Sequence, residues 1–73
     1  MNFSYKVTKN GKTIDKCRTR SIRRFTKNLR TINWGNSLLK VYLKVNYEKG
    51  VINEGFYENK EDLWLAFNAF VED

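Results

Sequence analysis

Residues 39–47 read L-K-V-Y-L-K-V-N-Y. Leu39, Val41, Leu43, Val45 and Tyr47 alternate with Lys40, Tyr42, Lys44 and Asn46. Successive side chains of a strand point to opposite faces, so this spacing predicts a half-buried β-strand with one apolar side. Downstream, Glu48-Lys49-Gly50 can close a hairpin onto a second strand over about Val51 to Tyr57. Asn59 is a good helix N-cap, and Glu61 and Asp62 suit the positive end of a helix dipole. Leu63, Ala66, Phe67 and Phe70 then form the apolar face of a final helix.

The first half of the chain has the same grammar. Phe3, Tyr5 and Val7 alternate with Ser4, Lys6 and Thr8, and Asn10-Gly11 follows as a hairpin turn. A second strand runs from about Lys12 to Arg18 around Ile14, and Ser21 is the N-cap of a helix expected to end near Asn33. A shift of 38 residues lays Val7 on Val45, Ile14 on Ile52, Ser21 on Asn59, and Phe25, Leu29 and Ile32 on Leu63, Phe67 and Phe70. The correspondence is one of pattern and almost never of identity, so duplication and convergence fit it equally. The expected fold is α+β, in the order β-β-α-β-β-α: a four-stranded antiparallel sheet, order 2-1-3-4, with both helices on one face and a pseudo-twofold relation between the halves. Residues 1–73 are read as one domain with half-units 1–36 and 37–73. Lys12, Lys16 and Glu54 share parity with Ile14 and Ile52, which reads as inward-tending charge on two edge strands.

Composition narrows the functional classes. The chain has 73 residues, 41% hydrophobic and 15% aromatic, near the lower limit for a self-sufficient core. The lone Cys17 excludes an intramolecular disulfide and reads as a structural strand residue in a reducing compartment. There is no histidine, a single cysteine and no clustered carboxylate pair in a predicted cleft, since Glu58, Glu61 and Asp62 read as complements to a helix N-terminus, so no catalytic constellation can be assembled. The expectation is a non-enzyme without metal or cofactor. The longest apolar run, Leu63 to Phe67, is too short to cross a membrane, and no signal peptide is visible, which points to the cytoplasm. Proline is absent and asparagine plentiful, as an AT-rich coding source such as a virus or mobile element would produce.

Charge carries the functional reading. Residues 1–36 hold ten Lys and Arg against the single acid Asp15, whereas residues 37–73 hold four Lys against seven acids. Six of the thirteen residues from Arg18 to Arg30 are basic. With Ile22, Phe25, Leu29 and Ile32 on one helical face, Arg20, Arg23, Arg24, Lys27 and Arg30 fall opposite. Arg18, Arg20, Arg23, Arg24, Lys27 and Arg30 are the expected contacts to DNA or RNA, or to an acidic protein surface. A second surface is the open sheet face, where Lys6, Lys40, Tyr42 and Lys44, joined by Tyr57, offer aromatics among cations. On the last helix, Leu65 lies on the outer side and Trp64 on the flank, and the two are expected to seat a second copy in a homodimer or a target protein. Two functions compete. One is a small intracellular nucleic-acid-binding domain that uses the basic helix. The alternative is a protein-binding regulator or inhibitor, encoded by a mobile element or virus, acting on a host nucleic-acid-processing complex.

Overall fold

The computed structural model describes residues 1–35 and 38–72. The chain runs β1 (Asn2–Lys9), β2 (Lys12–Thr19), α1 (Ile22–Arg30), β3 (Leu39–Asn46), β4 (Ile52–Tyr57) and α2 (Lys60–Glu72). The four strands form one antiparallel sheet in the order β2-β1-β3-β4. The fold class, element order and strand order read from the alternation are therefore those observed. The boundary between the half-units, at residues 36 and 37, lies outside the described residues.

The central pair explains the alternation. Phe3, Tyr5 and Val7 of β1 pair with Val45, Leu43 and Val41 of β3, and all six are buried. Positions 5 and 43 stand opposite one another and are also the positions that the 38-residue shift superposes. The register therefore reads the same when the two halves are exchanged. Phe25 and Leu29 of α1 and Leu63 and Phe67 of α2 join the same buried cluster, so both helices cover one face. Full burial of each large apolar side chain contributes about 1.5–3 kcal/mol.

Local chemistry fixes the connections. Asn10 (φ 52°) and Gly11 (φ 79°) both take positive φ, as the tight β1–β2 hairpin requires. A short 3-10 turn, Glu48–Gly50, links β3 to β4, and Tyr47 N–H donates to the Val51 carbonyl at 2.8 Å. At the start of α2, the Asn59 side chain accepts from Asp62 N–H at 2.9 Å and donates to the Asp62 carboxylate at 2.8 Å. At the other end, the Tyr47 hydroxyl donates to the Phe70 carbonyl, one of the carbonyls that a helix cannot satisfy internally. The residue that follows β3 thus holds the C-terminal turn of α2.

Several expectations need correction. α1 ends at Arg30 rather than near Asn33, because Thr31 caps it by returning both its N–H and its hydroxyl to the Asn28 carbonyl. Ile22 is 46% exposed rather than on the buried face, since it opens the helix, outside the buried cluster. Ile14 is 56% exposed: pairing passes from Val7↔Asp15 to Thr8↔Thr13, and Ile14 is the residue skipped in this register shift. Lys16 and Glu54 are not inward-tending. They pair with Lys6 and Lys44 and share the open face with them, while Lys12 is exposed at the hairpin end opposite Lys9. Ile32 and Phe70, expected to be mostly buried, are half-buried at the margin of the core.

Two consequences can be measured. Phe67→Ala removes a ring packed against Phe3, Phe25 and Trp64 and is expected to cost about 3–5 kcal/mol in denaturant unfolding. Leu65→Ala, on the outer side of the same helix, should stay within about 0.5 kcal/mol. The second concerns Tyr5, whose hydroxyl donates to the Asp15 carboxylate at 3.2 Å. Burial first, and the Asp15 charge second, push its pKa up to about 12. The folded state then holds this proton more tightly than the unfolded chain, whose tyrosine titrates near about 10. The resulting stability is fully present below about pH 10 and is lost as pH rises through about 12. Unfolding midpoints recorded across that window should fall more steeply for the wild type than for Tyr5→Phe.

Candidate functional site

α1 owes its form to Ser21 and Phe25. Ser21 is extended and its hydroxyl accepts from Arg24 N–H at 3.2 Å, while its own N–H donates to the Thr19 hydroxyl at 3.1 Å. Phe25 and Leu29 anchor the inner face. Asn28, on the flank, donates from its side chain to Cys17 Sγ at 3.3 Å and ties the helix to β2. Arg23, Arg24, Lys27 and Arg30 are all exposed on the helix, and no acid stands among its nine residues.

The two helices treat their own dipoles differently. α2 has Glu61 and Asp62 in its first turn, where negative charge is favoured. α1 has none there and carries Arg23 and Arg24 instead. Cations at that end cost about 0.3–1 kcal/mol each at a surface position. Only Lys27 and Arg30, in the last turn, lie where the dipole favours them.

Two of the six expected contacts lie off the helix: Arg18, on the second strand as its pattern placed it, and Arg20, which was expected on the stripe. Arg18 belongs to β2, which runs on to Thr19, and it faces Ser4 on the open side of the sheet. Arg20 sits in the bend before the N-cap, exposed but outside the helix. The break at Ser21 has a simple cause: its side chain is committed to the helix start, so the residues before it remain in the strand and its exit.

The open sheet face gathers more charge than expected. Lys16, Lys6, Tyr42 and Phe56 form one continuous row across all four strands. Arg18, Ser4, Lys44 and Glu54 form the next. Lys40, opposite Thr8, lies on the same side. The Tyr42 and Phe56 rings are 4.9 Å apart between centroids, and Lys40 Nζ is 5.9 Å from the centre of the Phe56 ring. The Tyr42 hydroxyl donates to the Glu54 carboxylate at 2.5 Å, and this bond, more than desolvation or charge, raises the Tyr42 pKa.

Tyr57 does not belong to this face. It pairs with Val41 on the helix side, and its ring folds back over Gly55, where an added Cβ would lie 2.5 Å from the Tyr57 hydroxyl oxygen. Burial there raises its pKa. The aromatic that β4 gives to the open face is Phe56, 66% exposed, which the sequence reading missed. The opposite charges of Lys44 and Glu54, which face each other across the strands, could have set the register and revealed it.

On α2, Leu65 is 70% exposed and Trp64 is half-buried, its ring edge-on to Phe67 at 5.9 Å. Trp64 therefore serves the margin of the core as well as the surface. Among the described residues, no group of three or more His, Cys, Asp or Glu side chains could hold a metal ion, and no helix is long and apolar enough to cross a membrane. No protein-family model matches this chain, and comparison with curated proteins and with solved structures finds no significant match.

Proposed function

We propose that this chain is a small nucleic-acid-binding domain and that α1 is its principal contact to the phosphate backbone of DNA or RNA. The observation that supports this most is the charge of α1: four exposed cations, no acid, and two arginines at the helix end that disfavours them. A face kept only for solubility would mix signs, as α2 does. Cations placed against the dipole and against each other are instead offset when phosphates neutralise them and counterions are released. Phe25 and Leu29 hold the helix from below, so the charged side chains are free of any duty in the core.

A second reading has one observation of its own. Ile22 is exposed beside Arg23, Thr26, Lys27 and Arg30, and an apolar group flanking charges is what a protein partner's acidic surface would use. On this reading the chain is a regulator that occupies an anionic surface of a nucleic-acid-processing protein.

The Arg23→Glu/Lys27→Glu double variant separates these readings from an idle surface. Its folding stability should remain within about 0.5 kcal/mol of the wild type per substitution. Its affinity for duplex DNA should fall, and the slope of log K against log salt should shrink by roughly 0.9 per lost phosphate contact. If the partner is a protein, the complex should vanish from nuclease-treated lysate as well. A folded variant that keeps full binding would show that α1 is not the contact.

A further inference from the structure

We propose that the uncovered face of the sheet is a second binding surface, specific for single-stranded nucleic acid. In it Phe56 and Tyr42 stack on unpaired bases while Lys6, Lys16, Arg18 and Lys40 hold the backbone. The inference rests on the reading above that the partner is nucleic acid, but it concerns the side of the sheet away from both helices.

Three observations carry it. The first is charge placed at a cost. Lys6 and Lys16 stand directly opposite each other on β1 and β2. Like charges in that relation destabilise a sheet. Arg18 lies one row away and Lys40 flanks the other end, so their repulsion is not confined to one pair. The one acid of these rows, Glu54, is engaged by the Tyr42 hydroxyl and faces Lys44. The face therefore keeps a net positive charge that a polyanion would neutralise.

The second observation is the exposure of Phe56. A phenyl ring 66% open to solvent, beside a tyrosine and under a lysine, gains little where it stands. Neither ring faces the core; both stand on the outer surface with no helix above them. Unpaired bases present flat π-faces that stack on such rings, whereas a duplex keeps its base faces closed to them. This distinction commits the surface to single strands.

The third observation is continuity. A depression of about 260 Å³ is lined by Lys6, Thr8, Lys40, Tyr42 and Phe56. A second, of about 510 Å³, runs between Lys6, Tyr42 and Lys44 toward Lys16 and Arg18. They share Lys6 and Tyr42, so one track crosses the sheet from the aromatic pair to the basic edge. Three strand spacings of about 4.8 Å make it roughly 14 Å long, enough for a short run of nucleotides.

Fluorescence anisotropy with labelled oligo-dT, oligo-U and a duplex of equal length, at several salt concentrations, tests the proposal. Phe56→Ala should weaken binding to the single strands about tenfold or more, leave duplex binding unchanged, and be rescued by Phe56→Trp but not by Phe56→Leu. Lys6→Ala/Lys16→Ala should lower the single-strand salt slope by roughly 0.7 per lost contact. Circular dichroism melts would confirm that each variant is folded. Equal single-strand affinity for folded Phe56→Ala and wild type overturns the proposal. If Arg23→Glu/Lys27→Glu then abolishes binding, the role of α1 stands alone. If Phe56→Ala abolishes single-strand binding while Arg23→Glu/Lys27→Glu keeps both single-strand and duplex binding, the sheet face stands and α1 is excluded. A wild type that binds none of the three probes at low salt overturns both, and a protein captured through Phe56 after nuclease treatment overturns the single-strand assignment.

Discussion

The ring of Phe25 lies 5.4 Å from that of Phe3 and 5.5 Å from those of Tyr5 and Phe67, with no exposure to solvent. It is the point where α1, β1 and α2 meet. Aromatic pairs at these separations contribute beyond the area they bury, about 0.5–1.5 kcal/mol each. In a chain this small, where total stability is only about 5–15 kcal/mol, three such contacts on one residue are a large share. The position of α1 over β1 and β2 follows from them. So does the outward aim of its cations, because a helix pinned through Phe25 and Leu29 has only one face left to show.

Pinning one face of the sheet also defines the other. Among the described residues, the fully buried positions of the sheet all lie on β1 and β3, and their inner residues pair with one another in an uninterrupted register. Each inner residue fixes the outward aim of its neighbours. Lys6 lies between Tyr5 and Val7, and Tyr42 lies between Val41 and Leu43. The cations of the sheet are thus displayed by the same alternation that builds the core, and they occupy the side that no helix covers.

Much of this was legible beforehand, and the failures are instructive. The strands with strict alternation, β1 and β3, were readable because burial on one face imposes a period of two. The helix faces were readable because Phe25, Leu29, Leu63 and Phe67 fall at helical spacing. Errors fell at the helix ends, where Ile22 is exposed and Ile32 and Phe70 are half-buried, and on the edge strands. On those strands burial constrains few positions, so Ile14 and Ile52 look like core residues although both are exposed. Taking Ile52 as an inward residue puts Tyr57 on the outward parity in place of Phe56, and Gly55 between them has no side chain to declare its side. Arg20 was set on the helical stripe because charge, unlike apolar spacing, carries no mark of where a helix begins. The N-cap at Ser21 was visible, but Arg20 lies before it, and continuity of charge across the cap does not imply continuity of the helix.

Among the described residues, no side chain of β2 or β4 belongs to the fully buried set; these strands reach the core only through the partly buried Cys17 and Tyr57. The edges are therefore held mainly by backbone pairing with β1 and β3, and their outward residues answer to little inside the molecule. This separates two kinds of change. Substitutions on the inner faces of β1 and β3 are felt at once by the packing, whereas those on the outward positions of the edges alter what the surface offers and leave the packing alone. Such a molecule can exchange the chemistry of its surface strand by strand over successive generations without first acquiring surplus stability. The same property makes β2 and β4 the natural places to graft new contacts onto this frame.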